Sequence, residues 1–148
     1  MNATRTGADV LLEAITGATP MPPCSSLLGW HALTIEPGRV RVQFHASEEF
    51  CNPRGHVQGG FLAAMLDDTM GPALFTLLDE AQFAPTLEMK ISFLRPAKPG
   101  RIVGEGRVVQ TRGVAFLEGT LAAENGTVLA TATATARIVA PGSGAEGV

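Results

Sequence analysis

Residues 52 to 78 limit the folds open to this chain more than any other stretch. They begin Asn-Pro-Arg-Gly-His-Val-Gln-Gly-Gly and continue as an apolar run from Phe61 to Leu78. Over that run apolar side chains point in nearly every direction on a helical wheel, which predicts a helix wrapped by the rest of the fold. Asp67 and Asp68 interrupt it. A carboxylate on a buried helix must be paired, hydrogen-bonded or shifted in pKa, and each outcome makes it a candidate for chemistry. Pro72 has no N–H for the Asp68 carbonyl, so a bend is expected just past the carboxylates.

The two ends of the stretch complement each other. Gly59 and Gly60 can bring bare N–H groups close to a ligand, at the positive end of a helix dipole where those groups lack intrahelical partners. That is an oxyanion site in outline. Asp67 follows Gly60 by seven residues, on the same face but about 10.5 Å along the axis. One reacting carbonyl cannot readily touch both. Two such helices packed antiparallel across a two-fold axis would set the glycines of one beside the carboxylate of the other, so a dimer with shared sites is expected. The row Gly60, Ala63, Ala64, Asp67, Gly71 leaves room for a close partner or a substrate.

With 148 residues, 45% of them hydrophobic, the chain fits one domain with a real core. No apolar run is long enough to span a bilayer and the N-terminus has no signal-peptide core, which reads as cytoplasmic. Cys24 and Cys51 make no disulfide framework and are expected as buried thiols. Together with His45 and His56 they match no zinc-ligand spacing, so no metal is expected. A net charge of -3 argues against a nucleic-acid binder. Six of the eleven basic residues, Lys90, Arg95, Lys98, Arg101, Arg107 and Arg112, nevertheless fall in one stretch where Glu105 is the only acid. Such a run reads either as the solvated face of a strand pair or as a landing site for a nucleotide-bearing cofactor.

Along the chain, Val10, Leu11, Leu12, Ala14 and Ile15 predict a short amphipathic helix over 7–17, and Pro20, Pro22 and Pro23 an extended connection. Glu36-Pro37-Gly38 predicts a hairpin from about Trp30 to Ala46. After the central helix, Leu87, Met89, Ile91 and Phe93 alternate with polar residues as a strand with one buried face. Strands over 101–111 and 114–123 follow. Gly104 and Gly106 thin one face where something must approach closely. Asn125-Gly126 turns into a last strand, Val128 to Arg137, with alanines on one face and threonines on the other. The order is one helix, two strands, the central helix and four strands. Short links make the sheet antiparallel and the class α+β. Residues 1–24 form the lead-in, 25–139 the domain and 140–148 a disordered tail.

This order, together with Asn52, the segment from Gly55 to Gly60, Leu66-Asp67 and the strand Thr86 to Ala97 ending in Arg-Pro-Ala, resembles the hotdog-fold acyl-CoA thioesterases of the phenylacetyl-CoA thioesterase-like branch. The resemblance covers roughly residues 25 to 139. It implies a curved antiparallel sheet around one long central helix, a homodimer or homotetramer, hydrolysis of acyl-CoA, and no cofactor beyond the coenzyme A of the substrate. By the same resemblance Asp67 is the nucleophile or general base and Gly59 the oxyanion donor contributed by the other subunit. Asn52 orients the carbonyl or the lytic water, and Thr86 positions water. The family usually has His-Gly-Gly where this chain has Gln58-Gly59-Gly60, with His56 two residues earlier. A glutamine can orient a carbonyl but cannot donate a proton near pH 7. Arg95, Lys98 and Arg112 are the residues expected at the nucleotide end of coenzyme A. Asp68 is expected in a structural role, bonding the loop before the helix. Two other functions fit the fold: acyl-CoA binding without catalysis, and a dehydratase or hydratase. The second needs a histidine paired with a carboxylate, and no histidine follows Asp67.

Overall fold

The computed structural model describes residues 3–142. Its elements are α1 (Gly7–Thr16), α2 (Pro23–Leu27), β1 (His31–Glu36), β2 (Arg39–Ala46), a 3-10 turn (Glu48–Phe50), α3 (Gly59–Phe75), β3 (Thr86–Phe93), β4 (Gly100–Arg112), β5 (Val114–Ala123) and β6 (Val128–Arg137). The strands form one antiparallel sheet in the order β1-β2-β4-β5-β6-β3, with α3 against it. This is the expected hotdog arrangement. From residue 143 onward the expected disordered tail lies outside the described residues.

The helix sits close to the sheet because the sheet lacks side chains beneath it. A Cβ on Gly104 would stand 2.5 Å from Thr69 Oγ1, and one on Gly106 would stand 2.6 Å from the Thr69 carbonyl oxygen. One on Gly119 would stand 2.9 Å from Met70 Cγ. Thr69 can be buried there because its hydroxyl donates to the Met65 carbonyl at 2.7 Å within its own helix. Leu62, Met65, Leu66, Met70, Ala73 and Leu74 complete the buried side of α3 and meet Val40, Val42, Phe44, Ile102 and Leu121 of the sheet in one core. The alanines of β6, from Ala130 to Ala136, are buried as their alternation predicts.

The expectations for the central helix, the proline segment and β3 need correction. The central helix is not wrapped by its own chain. Ala64 and Asp67 are exposed and Gly71 is only partly covered, because the small-residue row faces away from the sheet. Pro22 and Pro23 do not enforce an extended connection through α2: proline at the first helical position costs no hydrogen bond, and α2 starts at Pro23. Within β3, Met89 and Ile91 pack on the core, but Leu87 is 53% and Phe93 54% exposed. A register shift between Thr86 and Glu88 takes Leu87 off the alternation, while Phe93 stands over Gly59 at the open start of α3.

The lead-in is docked on the far end of α3. Gly7 N–H donates to the Leu78 carbonyl at 2.8 Å, and no Cβ would fit between Gly7 and the Phe75 carbonyl. A capping box of Thr6 and Asp9 starts α1, and Gly17, at φ 78°, ends it. The thiols are not both buried: Cys24 is exposed on α2 and Cys51 partly covered, and both are free.

The glycine contacts make a direct stability prediction. Gly106→Ala forces a Cβ onto the α3 backbone and should cost about 1–3 kcal/mol in urea unfolding. Gly71→Ala, whose Cβ meets nothing within 4 Å, should be neutral or gain up to about 1 kcal/mol. Equal effects of the two substitutions would contradict the packing account.

Candidate active site

The site residues expected from the sequence fall in two groups along helix α3. At its start, Gln58 is the N-cap, with no side-chain capping bond. The first helical bonds run from the Phe61 and Leu62 N–H groups to the Gln58 carbonyl, at 2.9 and 3.3 Å. The Gly59 and Gly60 N–H groups therefore precede the ladder. Gly59 lines a pocket of about 330 Å³ with Asn52, His56, Leu62, Phe93 and Arg95. Gln58 is exposed and is not among the residues lining this pocket, whereas His56 is.

Asn52 is held by the loop it belongs to. Its Oδ1 accepts from the Arg54 N–H at 2.9 Å and the His56 N–H at 3.2 Å, and its own N–H donates to the His56 carbonyl at 2.7 Å. The carboxamide oxygen thus builds the turn, and the amide nitrogen is the group left for a ligand.

The second group lies two turns along α3. Asp67 is exposed on the small-residue face, and Thr86 Oγ1 donates to its Oδ1 at 2.8 Å. Both line a pocket of about 390 Å³ with Cys24, Ala64, Gly71 and Ala84. Thr86 acts on the carboxylate itself in this chain, fixing one oxygen and leaving the other open.

Asp68, one residue on, points elsewhere. Ser25 Oγ donates to its Oδ1 at 3.1 Å, while Oδ2 is buried without a hydrogen-bond partner. Asp68 therefore bonds α2, which corrects the expectation that it bonds the loop before the helix. Burial pushes its pKa up to about 6, opposed by the Ser25 bond and assisted by the charge of Asp67. Its carbonyl, which the proline at position 72 leaves without an intrahelical donor, accepts from Trp30 Nε1 at 2.9 Å. Ser25 and Trp30 carried no signal in the sequence as site-shaping residues. The orphaned carbonyl four residues before Pro72 was the clue to a donor of this kind.

The basic stretch separates into two uses. Arg107 pairs with Glu118 at 2.5 Å, Arg101 with Glu124 at 3.7 Å, and Arg39 takes Glu105, so this part is the solvated face of a strand pair. Arg95 lines the Gly59 pocket and spends one guanidinium N–H on the Val128 carbonyl at 3.0 Å. Lys98 follows nearby in sequence. Arg112 ends β4 and pairs with Val114, which pairs with Arg137, so it lies at the Thr86 end of the sheet. The seven residue-to-residue steps from Thr86 to Phe93 span about 23 Å. Within one chain, Arg95 and Lys98 therefore lie far from Arg112. Among the described residues no three His, Cys, Asp or Glu side chains gather as a metal site, and no helix is long and apolar enough to cross a membrane.

The raised pKa of Asp68 fixes a sign. The folded state holds its proton more tightly than the unfolded chain, so stability is lost as pH rises from about 4, the ordinary carboxylate range, through about 6. Asp68→Asn removes this titration. Relative to that variant, the natural chain should lose on the order of 1–2 kcal/mol between pH 4 and pH 7, discounted for the solvent that still reaches the group. Parallel urea-midpoint curves for the two proteins across that range would contradict it.

Against known proteins, residues 54–130 match the model of the thioesterase superfamily. A solved structure of a proposed thioesterase related to phenylacetic acid degradation, from Ralstonia eutropha JMP134, superposes with TM-score 0.81 at 34% identity, covering 86% of this chain and 98% of that one. A Streptococcus mutans protein solved bound to acetyl CoA gives TM-score 0.70 at 23% identity over 76% of this chain and 90% of its own, a likeness of fold alone. A proposed esterase of Saccharolobus solfataricus is 36% identical over 78 residues, 53% of this chain and 55% of its own length. The chain thus spans about half the length of the curated relatives it matches. By the family model and the near full-length structural relative together, the chain belongs to the thioesterase superfamily.

Proposed function

We propose that this protein hydrolyses acyl-CoA thioesters at sites shared between two copies of the chain. The observation that carries this reading is the separation of the free Gly59 N–H from the Thr86-bonded Asp67 carboxylate along one open helix face. Thr86 lies beside the middle of α3 and Phe93 beside its start, so β3 and α3 run in opposite directions. β3 is also an edge strand of the sheet, with Leu87 and Phe93 exposed on it and Leu94 exposed just beyond it. A two-fold axis pairing β3 with its copy antiparallel covers that edge and sets the Gly59 pocket of one chain against Asp67 of the other. The same operation brings Arg95 and Lys98 of one copy toward Arg112 of the other, where the nucleotide of coenzyme A binds. A homotetramer follows if such dimers associate again. That a protein of this fold holds acetyl CoA supports the ligand class.

At such a site the thioester oxygen accepts from Gly59 N–H, where negative charge develops on attack. Asp67 either takes a proton from water as the water adds to the carbonyl carbon, or attacks that carbon itself to give an anhydride that water then opens. In both routes the C–S bond breaks, the carboxylic acid is released, and coenzyme A leaves as a thiolate that needs no strong acid. The Asn52 amide nitrogen and Gln58 orient the carbonyl or the water, and Thr86 holds Asp67 in place.

One observation favours a second reading. His56 lines the Gly59 half-site, so the same dimer brings an imidazole toward Asp67 of the other copy, the pair that water addition to an enoyl thioester requires. Release of free thiol distinguishes hydrolysis from hydration, and binding without either product marks a non-catalytic acyl-CoA carrier.

Asp67→Asn should lower kcat and kcat/KM together by at least about 10²-fold, with acyl-CoA binding retained. Gly59→Pro deletes the oxyanion donor at a position where proline suits a helix start, and Gln58 already has the extended ψ of 137° that a following proline demands. It should cost about 10²–10³ in kcat. Near-native thiol release from both variants would remove the mechanism.

A further inference from the structure

A cavity of about 320 Å³ lies under α1, on the other side of the α3 crest from the Asp67 pocket. Val10, Leu11 and Ala14 of α1 form its roof, with Met21, Trp30 and Phe75 among its walls. It shares Asp68, Gly71 and Pro72 with the Asp67 pocket, so these residues form the sill between the two spaces. At Gly71 the sill is low: a Cβ placed there meets nothing within 4 Å.

Two polar side chains of this wall are engaged with Asp68, and the Thr19 side chain lines the space among otherwise apolar neighbours. Ser25 bonds Asp68, and Trp30 Nε1 bonds the Asp68 carbonyl. The remaining Asp68 oxygen is buried and does not open onto the cavity space. What enters is therefore apolar. For scale, a dry apolar cavity of about 150 Å³ takes up benzene, so this one suits roughly twice that bulk.

We propose that this cavity receives the acyl group of the substrate, which passes over Gly71 from Asp67 and lies beneath α1. The substrate class is then a thioester with a large apolar acyl group, a chain of about ten carbons or a two-ring aromatic. Short acyl groups reach Asp67 without filling the space. α1, held by the Gly7 to Leu78 bond to the turn that follows α3, is the wall that sets acyl size. The hydrolysis arm of the test rests on the thioesterase reading above; the binding arm does not.

Trp30 is the single tryptophan of the chain and lines the cavity, so its emission reports occupancy. S-decyl-coenzyme A, a thioether that cannot be hydrolysed, should shift Trp30 emission saturably, and coenzyme A alone should not. Gly71→Leu should weaken the S-decyl-coenzyme A response at least tenfold and lower the ratio of kcat/KM for decanoyl-CoA to that for acetyl-CoA at least tenfold. Ala14→Phe, which fills the cavity from the opposite wall, should lower the same ratio. An emission change that is equal for S-decyl-coenzyme A and coenzyme A, or a ratio unchanged in both variants, overturns the proposal. A Trp30 response lost in Gly71→Leu with no thioester cleaved by the natural protein would sustain the cavity assignment and reject hydrolysis. Hydrolysis with no Trp30 response would do the reverse.

Discussion

The close seat of α3 on the sheet decides what the rest of the molecule can be. Gly104, Gly106 and Gly119 place no side chain of β4 or β5 beneath Thr69 and Met70 of the helix. Leu62, Met65, Leu66, Met70 and Leu74 are spent on that contact, and the exposed row on the other side is Gly60, Ala64 and the carboxylate of Asp67. A helix buried on one side and thin on the other is suited to receiving a substrate or a second helix close to its backbone. The half-sites proposed at Gly59 and Asp67 follow from that asymmetry, because both lie on the thin side.

Two neighbouring aspartates receive opposite environments because successive helix positions are turned by about 100°. Asp67 meets solvent and the Thr86 hydroxyl; Asp68 is drawn under the lead-in by Ser25. The backbone between them is held from outside the helix. Proline at position 72 frees the Asp68 carbonyl and Trp30 takes it, which ties the start of β1 to the turn of α3 carrying both carboxylates. The lead-in therefore shapes the site it covers.

Much of this was legible in the sequence, for reasons that can be named. Antiparallel strands separated by Pro-Gly and Asn-Gly turns announced themselves, and Gly104 and Gly106 pointed to a close approach that the helix makes. Spacing alone put Gly60 and Asp67 too far apart for one carbonyl. The exposed face of α3 was misread because a helical wheel counts glycine and alanine as apolar without saying which large residues share a side. α2 was missed because two prolines read as a break, although proline is at home at a helix start. The basic run mixed cross-strand partners with pocket residues, and only the register of β4 against β5 separates Arg107 from Arg95. No sequence pattern could report that Ser25 meets Asp68 across 43 residues.

The central claim is that each site takes its oxyanion donor from one copy and its carboxylate from the other, and subunit mixing tests it most directly. Asp67→Asn and Gly59→Pro are each inactive on this account, but a mixed dimer has one site carrying both defects and one carrying neither. With random exchange of equal amounts, thiol release should recover to about a quarter of the natural rate, since half the dimers are mixed and half of their sites are intact. A mixture that stays as inactive as its parents after demonstrated exchange would place both groups in one chain and contradict the account.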